Sequence, residues 1–248
     1  MKLAVYMYGL ASIATGAIDI AWHGFESAHQ PIQAFGDAIP GREIFAYVIA
    51  ALLIAGGAAV LRTQTAKFGA VALGVVYTIF TIFWLPRLYT APHALGLHAG
   101  VVMGVLAGVC QPLIVAAAAL LIYTADTRVA RWIFGISSIV FGLAHLTGIS
   151  VTAAMVPKWM PPGQDFWAVL TGVAFALGGV AILIRVLDVL AARLLAVMLL
   201  VFSAFALLPV LVAYPHNQIA WGSNAYNLAA IASMWILACR LEMRAILR

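Results

Sequence analysis

Apolar stretches of about 20 residues recur along this 248-residue chain, and its Lys and Arg residues fall between those stretches or at their ends. A run of that length crosses a hydrocarbon core of roughly 30 Å as a helix. In lipid every backbone amide must find its partner within the segment, so each run is read as helical. Composition agrees, with 65% hydrophobic and only 8% charged residues, against roughly 25% charged in a soluble domain. No globular core absorbs so much apolar surface. The spans are expected at residues 3–22, 43–61, 68–86, 94–123, 129–147, 165–184, 190–210 and 220–239. Gln111-Pro112 in the fourth predicts a kink, since proline lacks a donor and clashes with the preceding turn.

The net charge of +5 reflects topology rather than nucleic-acid binding, because the cations sit singly or in pairs between apolar runs. One side of the predicted membrane holds Lys2, Arg62, Lys67, Arg128, Arg131, Arg185, Arg193, Arg240, Arg244 and Arg248. The other holds Arg42, Arg87 and Lys158. The richer side is the cytoplasmic one, which places both termini in the cytoplasm of a cell whose inner membrane holds the chain. The first run is full length and leads into further spans, so it reads as a retained helix rather than a cleaved signal. Cys110 and Cys239 form no C-x-x-C pair, which argues against a dithiol centre or a disulfide framework.

The chain also matches itself. Tyr8-Gly9-Leu10-Ala11-Ser12-Ile13 corresponds to Phe134-Gly135-Ile136-Ser137-Ser138-Ile139, and Gly16 to Gly142. Ile39-Pro40-Gly41-Arg42-Glu43 corresponds to Pro161-Pro162-Gly163-Gln164-Asp165, and Gly56-Gly57 to Gly178-Gly179. Leu85-Pro86 corresponds to Leu208-Pro209, and Pro92-His93 to Pro215-His216. The expected fold is therefore an all-α membrane protein of eight transmembrane helices, built as two parallel-repeat four-helix bundles, residues 1–125 and 126–248. A pseudo-twofold axis along the membrane normal relates two such repeats. Gly100, Gly104 and Gly108 share one face of the fourth span, where missing side chains allow close helix packing.

All six histidines fall on the outer side or in the outer leaflet: His23, His29, His93, His98, His145 and His216. Asp19, Glu26, Asp37, Glu43 and Asp165 join them, while Asp126, Asp188 and Glu242 stay on the inner side. Ionisable groups within a span are costly and face a bundle interior or wet cavity. Asp19 aligns with His145 in the repeat, so the two are expected to meet as a proton-handling or ligand-polarising pair. Asp19, His145 and His98 are the candidate catalytic residues. Glu43, Asp165, Trp221, Asn224 and Asn227 are candidate ligand-binding residues. Asn224 and Asn227 share a helix face, and serve equally well as interhelical glue. His23, Glu26 and His29 are weak candidate metal ligands. Their H-x-x-E-x-x-H spacing differs from the helical H-E-x-x-H pattern, so only a loop brings them together.

Gly142 with His145, then Val156-Pro157-Lys158-Trp159-Met160-Pro161, Phe166-Trp167 and Leu170-Thr171-Gly172-Val173, resemble the DoxX/DoxD-like family of small four-helix membrane proteins. The resemblance is best over residues 130–240 and weaker over 5–123, as in a tandem fusion. It implies a membrane four-helix fold and, in some members, a link to quinone-coupled sulfur oxidation or redox-stress complexes. It carries over no catalytic residues. The first copy lacks the Pro-Lys-Trp loop, which argues against two equivalent sites. Three functions fit these features: a membrane subunit of a quinone-linked oxidoreductase with a redox partner protein, a non-catalytic assembly subunit, or a small-molecule transporter.

Overall fold

The computed structural model describes residues 1–30 and 41–246. Asp37 and the Ile39-Pro40 part of the internal correspondence lie outside them. The described residues form helices and connecting turns without a strand: α1 (Lys2–Ala21), α2 (Arg42–Val60), α3 (Ala66–Trp84), α4 (Arg87–Leu95), α5 (Ala99–Thr124), α6 (Thr127–Thr147), α7 (Ile149–Ala153), α8 (Gln164–Ile184), α9 (Asp188–Phe202), α10 (Leu208–Ala213) and α11 (Gln218–Ile246). Seven segments among them are long and apolar enough to cross a membrane: Lys2–Ala21, Arg42–Val60, Ala66–Leu95, Ala99–Thr124, Thr127–Thr147, Gln164–Ile184 and Asp188–Ala213. This is an all-α, multi-pass membrane protein.

The predicted eighth span falls in α11, which is 29 residues long but more polar than the seven. It carries Asn224, Tyr226, Asn227 and Ser233, and it packs against α1, α5 and α9 in the interior of the bundle. A helix enclosed by other helices need not be apolar all round. The predicted fourth span began too early. Gly96 takes a left-handed φ of 90° after α4, and α5 starts only after His98. Gln111-Pro112, where a kink is expected, lies within α5, which continues as α-helix with Pro112 buried inside it. A proline in a membrane helix is tolerated where neighbouring groups re-satisfy the freed backbone.

Glycines set the close helix contacts. Gly9 and Gly57 bring the backbones of α1 and α2 together, and a Cβ on Gly57 would lie 2.6 Å from the Gly9 carbonyl oxygen. Gly135 and Gly179 do the same for α6 and α8, where a Cβ on Gly179 would lie 2.5 Å from the Gly135 carbonyl oxygen. Gly16 faces the Ala50 carbonyl on α2, and Gly142 faces the Gly172 carbonyl on α8. The predicted stripe on α5 divides its roles. Gly108 receives the Trp84 ring, Gly100 approaches the Thr147 carbonyl, and Gly104 has open space beside it.

Proline punctuation shapes the far ends. Helix α3 stops before Pro86, and between α9 and α10 residues Ser203–Leu207 make a π-helical turn just ahead of Pro209. Carbonyls freed there need donors. Asn227 Nδ2 donates to the Leu199 carbonyl (2.9 Å) and to Ser203 Oγ (2.5 Å), and Asn224 Nδ2 donates to the Leu207 carbonyl (3.2 Å). At the opposite end, Arg131 donates to Asp188 (2.6 Å) and the Ile182 carbonyl (2.7 Å), and Arg193 pairs with Glu242 (2.7 Å). Arg244 reaches Thr127 Oγ1 at 2.5 Å. These contacts tie the starts of α6 and α9 to the ends of α8 and α11.

Gly57→Ala and Gly179→Ala each push a methyl group against backbone and are expected to cost about 1–3 kcal/mol, as overpacking does. Gly104→Ala meets nothing within 4 Å and is expected to leave stability unchanged or slightly raised. Thermal unfolding in mild detergent separates the two classes; equal effects at all three positions would contradict this packing.

Candidate functional site

The end of α1 folds back into the bundle. His23 adopts a left-handed φ of 55°, and the Gly24 N–H donates to the Asp19 carbonyl at 3.0 Å, closing the helix. The chain then turns inward against the other helices. Phe25 is fully buried and meets the Phe45 and Phe80 rings edge-on, at 5.5 and 6.3 Å. This apolar anchor carries Glu26 and Gln30 into the interior with it, and both are buried.

A buried carboxylate is tolerated only when its oxygens are matched. Glu26 Oε1 accepts from the Ala28 N–H (2.7 Å), and Oε2 accepts from the His29 N–H (3.0 Å) and from His29 Nδ1 (2.5 Å). The Gln30 amide joins the two acids: its Oε1 accepts from the Glu26 N–H (2.7 Å), and its Nε2 donates to Asp19 Oδ2 (2.8 Å). Asp19 Oδ1 has no partner among the described residues.

Helices α3 and α11 close the site. The His29 ring stacks on Tyr226 at 4.7 Å with a 20° interplanar angle, and Trp84 Nε1 donates to the His29 carbonyl at 3.4 Å. Gln218 Nε2 donates to the Gly24 carbonyl at 2.9 Å. Gly222 lies directly under Glu26, where an added Cβ would stand 2.5 Å from Glu26 Cγ. Only glycine lets the carboxylate settle so close to α11. The His29 side chain keeps 14% exposure against 2% for Glu26, so the imidazole is the open face of a closed network.

Below Asp19, α1 presents Tyr8, Ser12, Thr15 and Asp19 on one buried face. The Tyr77 hydroxyl lies 3.3 Å from Ser12 Oγ, Ser12 donates to the Tyr8 carbonyl (3.0 Å), and the Tyr8 hydroxyl donates to the Val115 carbonyl (3.0 Å). Tyr226 meets Tyr77 edge-on at 6.2 Å, and its hydroxyl is buried without a partner among the described residues.

Of the residues singled out in the sequence, the structure gathers Asp19, Glu26 and His29. It does not bring His145 to Asp19. His145 Nδ1 bonds the Phe141 carbonyl one turn back (2.8 Å) and its ring packs on Phe175 at 5.4 Å. His98 is exposed ahead of α5, and Glu43 and Asp165 are exposed in the first turns of α2 and α8. Trp221 is 41% exposed and donates to the Pro215 carbonyl at 2.9 Å, while Asn224 and Asn227 hold the π-helical turn. The metal reading is not supported by the geometry. His23 turns to the Tyr47 hydroxyl (2.6 Å), and no group of three His, Cys, Asp or Glu among the described residues could hold an ion.

Glu26→Gln replaces an acceptor oxygen by an amide group facing donors, and is expected to destabilise by about 1–3 kcal/mol. Gly222→Ala should cost a similar amount by displacing the same carboxylate. Because both act on one network, the double variant should lose clearly less than the sum. Thermal unfolding of the three variants checks this, and strict additivity would contradict it.

Comparison with protein-family models, with curated proteins and with solved structures finds no match to this chain.

Proposed function

We propose that this membrane protein is a DoxX/DoxD-like tandem duplication that binds a quinol-class ligand at His29 and serves as the membrane subunit of a quinone-linked oxidoreductase. The duplication, with units 1–125 and 126–248, is supported by the matched glycine contacts of α1 with α2 and of α6 with α8. It is supported too by the matching Leu-Pro pairs, one directly after α3 and one at the start of α10. In this reading α11 is the eighth crossing. Its 29 residues, at about 1.5 Å each, exceed a core of roughly 30 Å. The excess of Lys and Arg at the end where α6 and α9 begin favours a cytoplasmic location for both termini, in the inner membrane.

The Glu26–His29 pair carries the functional reading. A carboxylate only accepts, so Nδ1 is the donor in that bond and Nε2 is left as an acceptor. A positioned imidazole of this kind takes a proton from a hydroxyl that reaches it. Tyr226 and Trp84 fix the plane and height of the ring. A quinol supplies two electrons and two protons on oxidation. The residues here handle the proton side, and a redox partner protein takes the electrons.

In mild detergent, a short-chain ubiquinol is expected to raise the unfolding temperature of the wild-type protein. His29→Phe keeps a ring against Tyr226 but has no nitrogen, and is expected to abolish that rise. No rise in the wild type, together with no quinone in its lipid extract, would contradict the proposal. Normal activity of a partner complex carrying His29→Phe would instead favour a non-catalytic assembly role.

A further inference from the structure

The network at His29 does not stop at the membrane surface. Tyr8, Ser12, Thr15 and Asp19 recur at spacings that keep them on one face of α1, and all four are buried. Eleven residues of helix cover about 16 Å, roughly half the hydrocarbon core. The corresponding face of α6 carries Phe134, Ser138, Phe141 and His145, a less polar set than this column.

Among the described residues two atoms at the head of this column are unmatched. Asp19 Oδ1 has no donor there and the Tyr226 hydroxyl no acceptor, and both are fully enclosed. Tyr226 meets the Tyr77 ring, whose hydroxyl lies 3.3 Å from Ser12 Oγ, and it stacks on His29, which Glu26 and Gln30 link to Asp19. Buried polar groups are nearly always hydrogen-bonded, and where protein supplies no partner an internal water commonly does. Lipid offers these atoms nothing.

We infer that Asp19 Oδ1 and the Tyr226 hydroxyl bind internal water, which wets the head of the α1 hydroxyl face beside the Glu26–His29 pair. The water donates to Asp19 Oδ1 and accepts from Tyr226. This inference does not require a quinol at His29.

X-ray radiolytic labelling of the reconstituted protein in oxygen-18 water tests it, since hydroxyl radicals made from bound water mark the rings beside it. Tyr77 and Tyr226 are expected to label several-fold faster than Phe80 and Phe134, which are as deeply buried, after correction for intrinsic reactivity. Asp19→Leu should reduce Tyr77 labelling to the level of Phe80 and leave Phe134 unchanged. Tyr226→Phe, which keeps both ring contacts, should lower labelling at Tyr77 as well. Wild-type rates at Tyr77 and Tyr226 no higher than at the two phenylalanines would overturn the inference, as would Tyr77 labelling indifferent to both substitutions.

Discussion

Lipid supplies no hydrogen bonds, so a polar atom brought inside this bundle must be answered by another part of the chain or by internal water. That constraint explains why the inward turn after α1 is so fully cross-linked. Once Phe25 is buried against Phe45 and Phe80, the acids on either side of it follow. Glu26 is matched by two backbone N–H groups and an imidazole, and Asp19 by the Gln30 amide. The same constraint explains the asparagines of α11, which answer carbonyls around a π-helical turn.

Shape and chemistry are divided between different residue classes. Glycine pairs set the distance between α1 and α2 and between α6 and α8, in the same way in both places. Polar side chains do not follow that recurrence. The first contact borders Tyr8, Ser12, Thr15 and Asp19, whereas the second borders Phe134, Ser138, Phe141 and His145. Close backbone packing conserves the frame, and the side chains lining it are free to differ. The buried face of α1 therefore carries the acids and hydroxyls of the site, and α11 completes it with Gln218, Gly222 and Tyr226.

Span positions were legible because hydrophobic length is read directly from residue order, and so was the burial of Asp19, since a carboxylate within a span must face inward. The α1 column was also readable: Tyr8, Ser12, Thr15 and Asp19 share a helix face, and that spacing is the signal. The partner of Asp19 was not. Alignment of the two halves pointed to His145, but local turn chemistry favours Gln30, which the left-handed residue His23 and the anchor Phe25 bring within reach. Gly222 and Tyr226 gave no signal at all, because their roles depend on how α11 lies against α1, a tertiary fact that no local pattern encodes. His29 was visible as a ligating type, but its bond to Glu26 depends on a loop conformation that helical spacing arguments do not describe.

Glu26 fixes the His29 ring so that one nitrogen is committed and the other is available. Nitrogen-15 NMR of the histidine side chains in the lipid-reconstituted protein reads this directly. The neutral His29 ring is predicted to carry its proton on Nδ1, with Nε2 bare, and to lose that preference in Glu26→Gln. A proton on Nε2 with Nδ1 bare, or a spectrum unaltered by the substitution, would contradict it.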